Sequence, residues 1–149
     1  MTLNVNAPGF RLPYDLQAIY DHVAAHLLRQ GRPAIDEDEK GSVKCCYRSP
    51  DGDRCAIGAL IPDARYKRVL EGIWGPGVLA GLGLLPWDEA EDYSAPRTCL
   101  LEALQRLHDA AANWEVEDVS TRWEGGLLRI ARDFRLRPFT RDMLNNNKE

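Results

Sequence analysis

Apolar positions recur along this chain with the three-and-four period of a buried helix stripe in three places, and with the alternation of a strand in one. Leu16, Ile19, Tyr20, Val23, Ala24 and Leu27 form the first stripe, which Gly31 stops and Pro33 forbids from continuing. Leu100, Leu101, Leu104, Leu107, His108 and Ala111 form the strongest stripe, behind the start signals Ser94 and Pro96. Val119, Trp123, Leu127, Ile130 and Phe134 predict a third helix from Asp118 to about Leu136. Gly125-Gly126 weakens it by about 1 kcal/mol per glycine and invites a kink or a break.

Alternation appears on either side of Ser49-Pro50-Asp51-Gly52, a sound turn sequence. A three-residue loop there would pair Tyr47 with Cys55 and Cys45 with Ile57. Val43, Cys45, Tyr47, Cys55 and Ile57 would share one face, with Cys46 and Ala56 on the other. Two strands alone are marginal, so helices must cover the apolar face. Pro62 ends the second arm, and Asp63 is a candidate cap for a short helix across 64–72. Gly75 to Leu85 is apolar but too interrupted by glycine to specify a helix, and Trp87 to Tyr93 reads as an acidic loop. The expected architecture is α+β: a helix-dominated single domain with one small β-hairpin packed against several helices. Residues 1–13 read as an extended arm, 14–137 as the globular domain and 138–149 as a frayed tail.

A chain of 149 residues can bury about two-thirds of its unfolded surface and needs neither metal nor disulfide to fold. Its net charge of −4 argues against a general nucleic-acid binder. No apolar run reaches the ~20 residues of a membrane span, and Met1 to Pro13 lacks the pattern of a signal peptide. The expectation is a cytoplasmic protein whose four cysteines are thiols or metal ligands. Charge is uneven. Residues 119–149 carry seven Lys or Arg against four Asp or Glu, a balance of +3, which leaves −7 for the rest of a chain totalling −4.

His22 and His26, four apart on one helix, can point the same way, and Cys45, Cys46 and Cys55 offer further ligands for a zinc ion. Against this, the histidines fall on the flank of the apolar stripe, no Glu follows His22, and the cysteine spacing is not that of a zinc finger. The alternative is two boundary histidines and three small core residues. Cys46, beside Lys44 and Arg48, is a candidate low-pKa thiol, but no nearby His supplies a base. Gly75 to Gly83 matches no phosphate-binding fingerprint, and close backbone packing accounts for it better.

The acidic runs Asp36-Glu37-Asp38-Glu39 and Asp88-Glu89 with Glu91-Asp92 present carboxylates where a basic partner would dock; the plain alternative is a solvated face. Trp74, Trp87, Trp114 and Trp123 stand near element ends, as interface anchors or as lids on a small core.

Cys46-Tyr47-Arg48, Asp51-Gly52, Cys55-Ala56-Ile57-Gly58, Leu60-Ile61-Pro62-Asp63, Tyr66 and Glu71-Gly72 together resemble small uncharacterised proteins of proteobacterial phages and prophages. The likeness covers about residues 45–72, more loosely 100–111. It implies a mobile-element accessory role, in the host cytoplasm, and carries over no functional residue.

No complete catalytic constellation is legible, so no catalytic residue and no cofactor is assigned. The leading expectation is a non-enzymatic accessory protein that binds, and inhibits, a host protein or defence complex, one with a basic nucleic-acid-binding surface; direct nucleic-acid or membrane binding is not expected. Its expected docking residues are the two acidic runs with Arg48 and Arg54. The alternatives are a small metal- or thiol-dependent enzyme using His22, His26, Cys45, Cys46 and Cys55, and a structural component of a phage particle.

Overall fold

The computed structural model describes residues 3–146. Three helices build the frame: α1 (Leu16–Gln30), α4 (Pro96–Asp109) and α5 (Val119–Phe134), each packed against the other two. Between them the chain runs through β1 (Ile35–Glu37), β2 (Val43–Cys45) and two short helices, α2 (Gly77–Gly81) and α3 (Trp87–Ala90); α6 (Asp142–Asn146) follows the third long helix. The protein is a helix-dominated α+β fold with one two-stranded antiparallel hairpin. No helix among the described residues is long and apolar enough to cross a membrane.

Local chemistry sets the ends of the long helices. Asp15 accepts from the Gln17 N–H at 2.9 Å to cap α1, and Gly31, at φ 67°, closes it by donating to the Leu27 carbonyl at 2.9 Å. Asp118 caps α5 through the Thr121 N–H at 3.1 Å. The expected stripes are the buried faces: Ile19, Tyr20, Val23 and Leu27; Leu100, Leu101, Leu104 and His108; Trp123, Leu127 and Ile130. Helix α5 runs unbroken through Gly125-Gly126. The reason is packing: a Cβ on Gly126 would lie 2.2 Å from Leu107 Cδ1, so the bare glycine is what lets α4 and α5 approach.

The hairpin forms with a different partner. Strand β2 pairs backwards with β1, in the register Ile35↔Cys45, Asp36↔Lys44, Glu37↔Val43. Asp36 and Glu37 are therefore strand residues. Asp38 makes the turn, its Oδ1 accepting from the N–H groups of Lys40 and Ser42 at 2.8 and 2.9 Å, with Gly41 at φ 82°. The Ser49-Pro50-Asp51-Gly52 turn also forms, with Gly52 at φ 88°, but it closes a single bridge, Arg48↔Arg54. The Tyr47–Cys55 and Cys45–Ile57 pairs do not form, for two reasons. Glu71 reaches in and takes the N–H groups of Tyr47 and Arg48 at 2.9 and 3.1 Å. Beyond Cys55 the chain coils into a 3₁₀ turn at Gly58–Leu60, driving Ile57, Leu60 and Ile61 into the core. Gly58 sits so tightly beneath Tyr47 that a Cβ would lie 2.0 Å from the Tyr47 carbonyl oxygen.

Further expectations are corrected by packing. The 64–72 segment is two 3₁₀ turns, 63–65 and 68–72, and Asp63 is not their cap. The glycine-rich stretch contains α2, whose Gly77 and Gly81 lie under the Trp87 ring at 3.9 and 3.8 Å from where a Cβ would stand. Residues 3–13 of the arm are docked: Val5 and Leu12 are buried, and the Leu12 N–H donates to Leu84 at 3.0 Å. The tail is tied down as far as it is described. Tyr20, fully buried, donates its hydroxyl to the Leu127 carbonyl at 2.9 Å and accepts from the Phe139 N–H at 3.0 Å. Met1, Thr2 and 147–149, which belonged to the expected arm and frayed end, lie outside the described residues.

The paired glycines of α5 give a stability test. Gly125 has open space at its Cβ position and is exposed, so Gly125→Ala should raise stability by about 0.5–1 kcal/mol. Gly126→Ala should lower it by about 1–3 kcal/mol through the clash with Leu107. Thermal and urea unfolding of both variants checks this, and effects of equal sign would refute the packing account.

Candidate functional site

A cleft of about 620 Å³ opens between β2, the 71–75 segment and α4. Helix α4 contributes Glu102, Gln105, Arg106 and Asp109, spaced as one polar face opposite its buried leucines. Strand β2 and its continuation supply Lys44, Cys45, Cys46 and Tyr47; Cys55 comes from the returning arm, and Glu71, Ile73, Trp74 and Gly75 form the far wall. Trp74 stands at the cleft with 83% of its surface exposed. Tyr47 is clamped at both ends, by Glu71 on its N–H and by the Ile73 carbonyl on its hydroxyl.

Beneath the cleft lies a closed polar chain. His108 is fully buried and stacks on Trp123 of α5, ring centroids 5.5 Å apart. Its Nε2 accepts from the Ala34 N–H at 2.9 Å, so the ring hydrogen is on Nδ1, which donates to Asp109 Oδ1 at 2.8 Å. Gln105 donates to the same oxygen at 2.7 Å. Cys45 Sγ lies within 4.8 Å of both a His108 ring nitrogen and an Asp109 oxygen.

This trio has the elements of a metal site or a catalytic triad and the geometry of neither. A metal at His108 Nδ1 would displace its hydrogen to Nε2, facing the Ala34 N–H donor to donor. A triad needs the imidazole to take the thiol's proton, and here its one lone pair, on Nε2, is already taken by the Ala34 N–H, while Asp109 adds negative charge beside the sulfur. Burial first, then Asp109, pushes the Cys45 thiol up to about 12. Burial likewise pushes Cys55 up to about 12, and Cys46 is raised by burial and by Glu71. All four cysteines are free, and these three are held as thiols.

His22 and His26 face away from the cysteines. His22 Nε2 donates to the Ala59 carbonyl at 3.1 Å and His26 Nε2 to the Arg54 carbonyl at 3.0 Å, so both pin the 54–59 segment onto α1. Among the described residues the one group with metal-ligand spacing is Cys45, His108 and Asp109; His22, His26, Cys46 and Cys55 do not assemble into one.

Half of the expected docking charges are spent internally. Arg48 and Arg54 both grip Asp63, at 2.7 and 2.8 Å, and Arg48 lies over the Tyr66 ring. Glu89 forks onto buried Arg97 through two 2.5 Å contacts, while Arg97 also donates to the Leu12 carbonyl at 2.8 Å. Asp38 and Asp92 make turns, the latter accepting from the Ser94 N–H at 2.9 Å. Glu37, Glu39, Asp88 and Glu91 remain exposed, and Asp36 is half-buried across from Lys44. Sequence reasoning missed the polar face of α4, whose signal was Glu102, Gln105, Arg106 and Asp109 at helical spacing. Comparison with protein-family models, with curated proteins and with solved structures finds no match.

Thiol reactivity follows. At about pH 8, a thiol with pKa about 12 is roughly 10⁻⁴ ionised. A disulfide reagent should therefore modify exposed Cys99 in a fast phase and the three cleft thiols far more slowly; labelling of Cys45 or Cys55 as fast as Cys99 would contradict the protonated-thiol account.

The histidines set a pH dependence. Burial, the largest cause, and the neighbouring Arg54 hold both below 6.5; Arg29 adds to this at His22. The unfolded chain then takes up protons that the folded chain refuses, so their contribution is complete above pH 6.5 and is lost as pH falls through their folded values. Tm should fall on acidification below pH 6.5, with a shallower slope in His26→Gln; identical slopes would remove the histidines as the cause.

Proposed function

We propose that this chain is a non-enzymatic, phage-type accessory protein that binds and inhibits a host protein or defence complex, and that its cleft receives an arginine or lysine side chain from that partner's basic, nucleic-acid-binding surface. The observation that carries this reading is the pairing of carboxylates with an exposed aromatic in one cleft. Glu102 and Asp109 line it beside two cations, Lys44 and Arg106, with the Glu71 oxygens already taken by Tyr47, Arg48 and Tyr66, and Trp74 stands next to them. Methylene stems pack on the Tyr47, Ile73 and thiol walls, while a cationic head meets carboxylates and an indole face.

The protonated thiols support binding over catalysis, since the cleft offers no activated nucleophile. The −7 balance outside residues 119–149 favours approach to a basic partner.

Tagged wild type, Trp74→Ala and Glu102→Gln proteins, matched for Tm, are compared on a proteobacterial lysate. Wild type should retain a stoichiometric partner and displace that partner's nucleic acid. Trp74→Ala should bind it at least ~30-fold more weakly and Glu102→Gln ~10-fold more weakly. Equal binding by all three, or an enzymatic activity in the isolated protein, would overturn the reading.

A further inference from the structure

The segment Arg54-Cys55 sends successive side chains to opposite sides: Cys55 into the cleft, Arg54 into a second cavity of about 350 Å³ under the N-terminal arm. The second cavity is lined by Asn6, His22, His26, Arg29, Arg54 and Ala59, among others. In a chain of net charge −4, this pocket is cationic. No carboxylate is among its lining residues; Asp63, outside the lining, is shared by Arg54 and by Arg48, which leaves one positive charge in excess, and Arg29 adds a second with no ion pair among the described residues.

Both imidazoles line the pocket. Their Nε2 atoms donate to carbonyls, so each Nδ1 carries the lone pair and becomes a donor on protonation. His22 Nδ1 is buried and has no hydrogen-bond partner among the described residues. Buried polar atoms are normally satisfied, and an orphan acceptor beside two guanidinium groups calls for a group that carries negative charge and brings a proton to the nitrogen.

We infer that this pocket is a phosphoryl-binding site that takes inorganic phosphate or the phosphate of a small phosphomonoester, held by Arg29 and Arg54 and by the Nδ1 of His22 and His26. A dianion matches the two excess positive charges, and its three or four oxygens can serve several donors at once. A carboxylate offers one charge and two oxygens, and leaves part of the site unmatched. Binding draws protons onto the rings, because the dianion offsets the repulsion that Arg29 and Arg54 exert on His22 and that Arg54 exerts on His26. The site is separate from the cleft and does not depend on the reading of it.

The full chain is titrated with inorganic phosphate, with a nucleoside monophosphate and with sulfate, against chloride at equal ionic strength, while the imidazole resonances are followed by NMR. Phosphate or the monophosphate should saturate the His22 and His26 signals and raise their pKa by about one unit; saturation by both ligands assigns a phosphomonoester site, and by inorganic phosphate alone a site for the free ion. Arg29→Gln, an exposed position, should keep the Tm and bind ~10-fold more weakly. Shifts no larger than in chloride, saturation by sulfate as tight as by phosphate, or unchanged affinity in Arg29→Gln would overturn the inference. Trp74→Ala should bind phosphate as wild type does.

Discussion

The buried imidazole of His108 ties this fold together. It sits at the last turn of α4, stacks on Trp123 of α5, accepts from the backbone of Ala34 just before β1, and donates to Asp109 at the floor of the cleft. One ring thus joins two helices, the start of the hairpin and the candidate site. Its Nε2 satisfies a buried N–H that would otherwise cost about 1–3 kcal/mol. Because that nitrogen is an acceptor, the hydrogen on the other is committed to the carboxylate. The same constraint that positions the hairpin therefore removes His108 from service as a base or a metal ligand.

The chemistry of the cleft follows from that commitment. A thiol, a carboxylate and an imidazole are gathered within a few ångströms, yet the order in which they meet leaves the half-buried sulfur facing a negative group. Desolvation and charge act in the same direction, and the sulfur stays protonated. What remains is a shaped surface: apolar walls, an aromatic edge and carboxylates at fixed distances.

Charge elsewhere does structural work that a linear reading takes for docking capacity. Arg48, Arg54 and Asp63 lock the 49–53 turn to the following segment, and Arg97 with Glu89 fastens α3, α4 and the N-terminal arm. Removing one partner of the second pair would leave a buried charge, a loss on the order of 3–5 kcal/mol. The pinning of the 54–59 segment by His22 and His26 places Arg54 on one side and Cys55 on the other. One short stretch of backbone thus separates an acidic cleft from a cationic pocket.

The long helices were legible because their information is local: period, cap and stop lie within a few residues of one another, as at Asp15, the Ile19 to Leu27 stripe and Gly31. Their dominance, with a small hairpin beside them, was legible for the same reason. The partner of β2 was not, since Tyr47 and Arg48 gave their N–H groups to Glu71, more than twenty residues away, and Gly58 was needed under the Tyr47 carbonyl. Helical spacing also placed Glu102, Gln105, Arg106 and Asp109 on one face, but nothing nearby in sequence said that β2 and Trp74 would face them. The protonation of Cys45 and Cys55, and the roles of His22, His26 and His108, depended on burial and on backbone carbonyl or N–H partners distant in the chain. Sequence alone determined which segments coil and which side of each seeks the core; tertiary structure decided which polar groups meet, because hydrogen bonds and desolvation are set by neighbours in space.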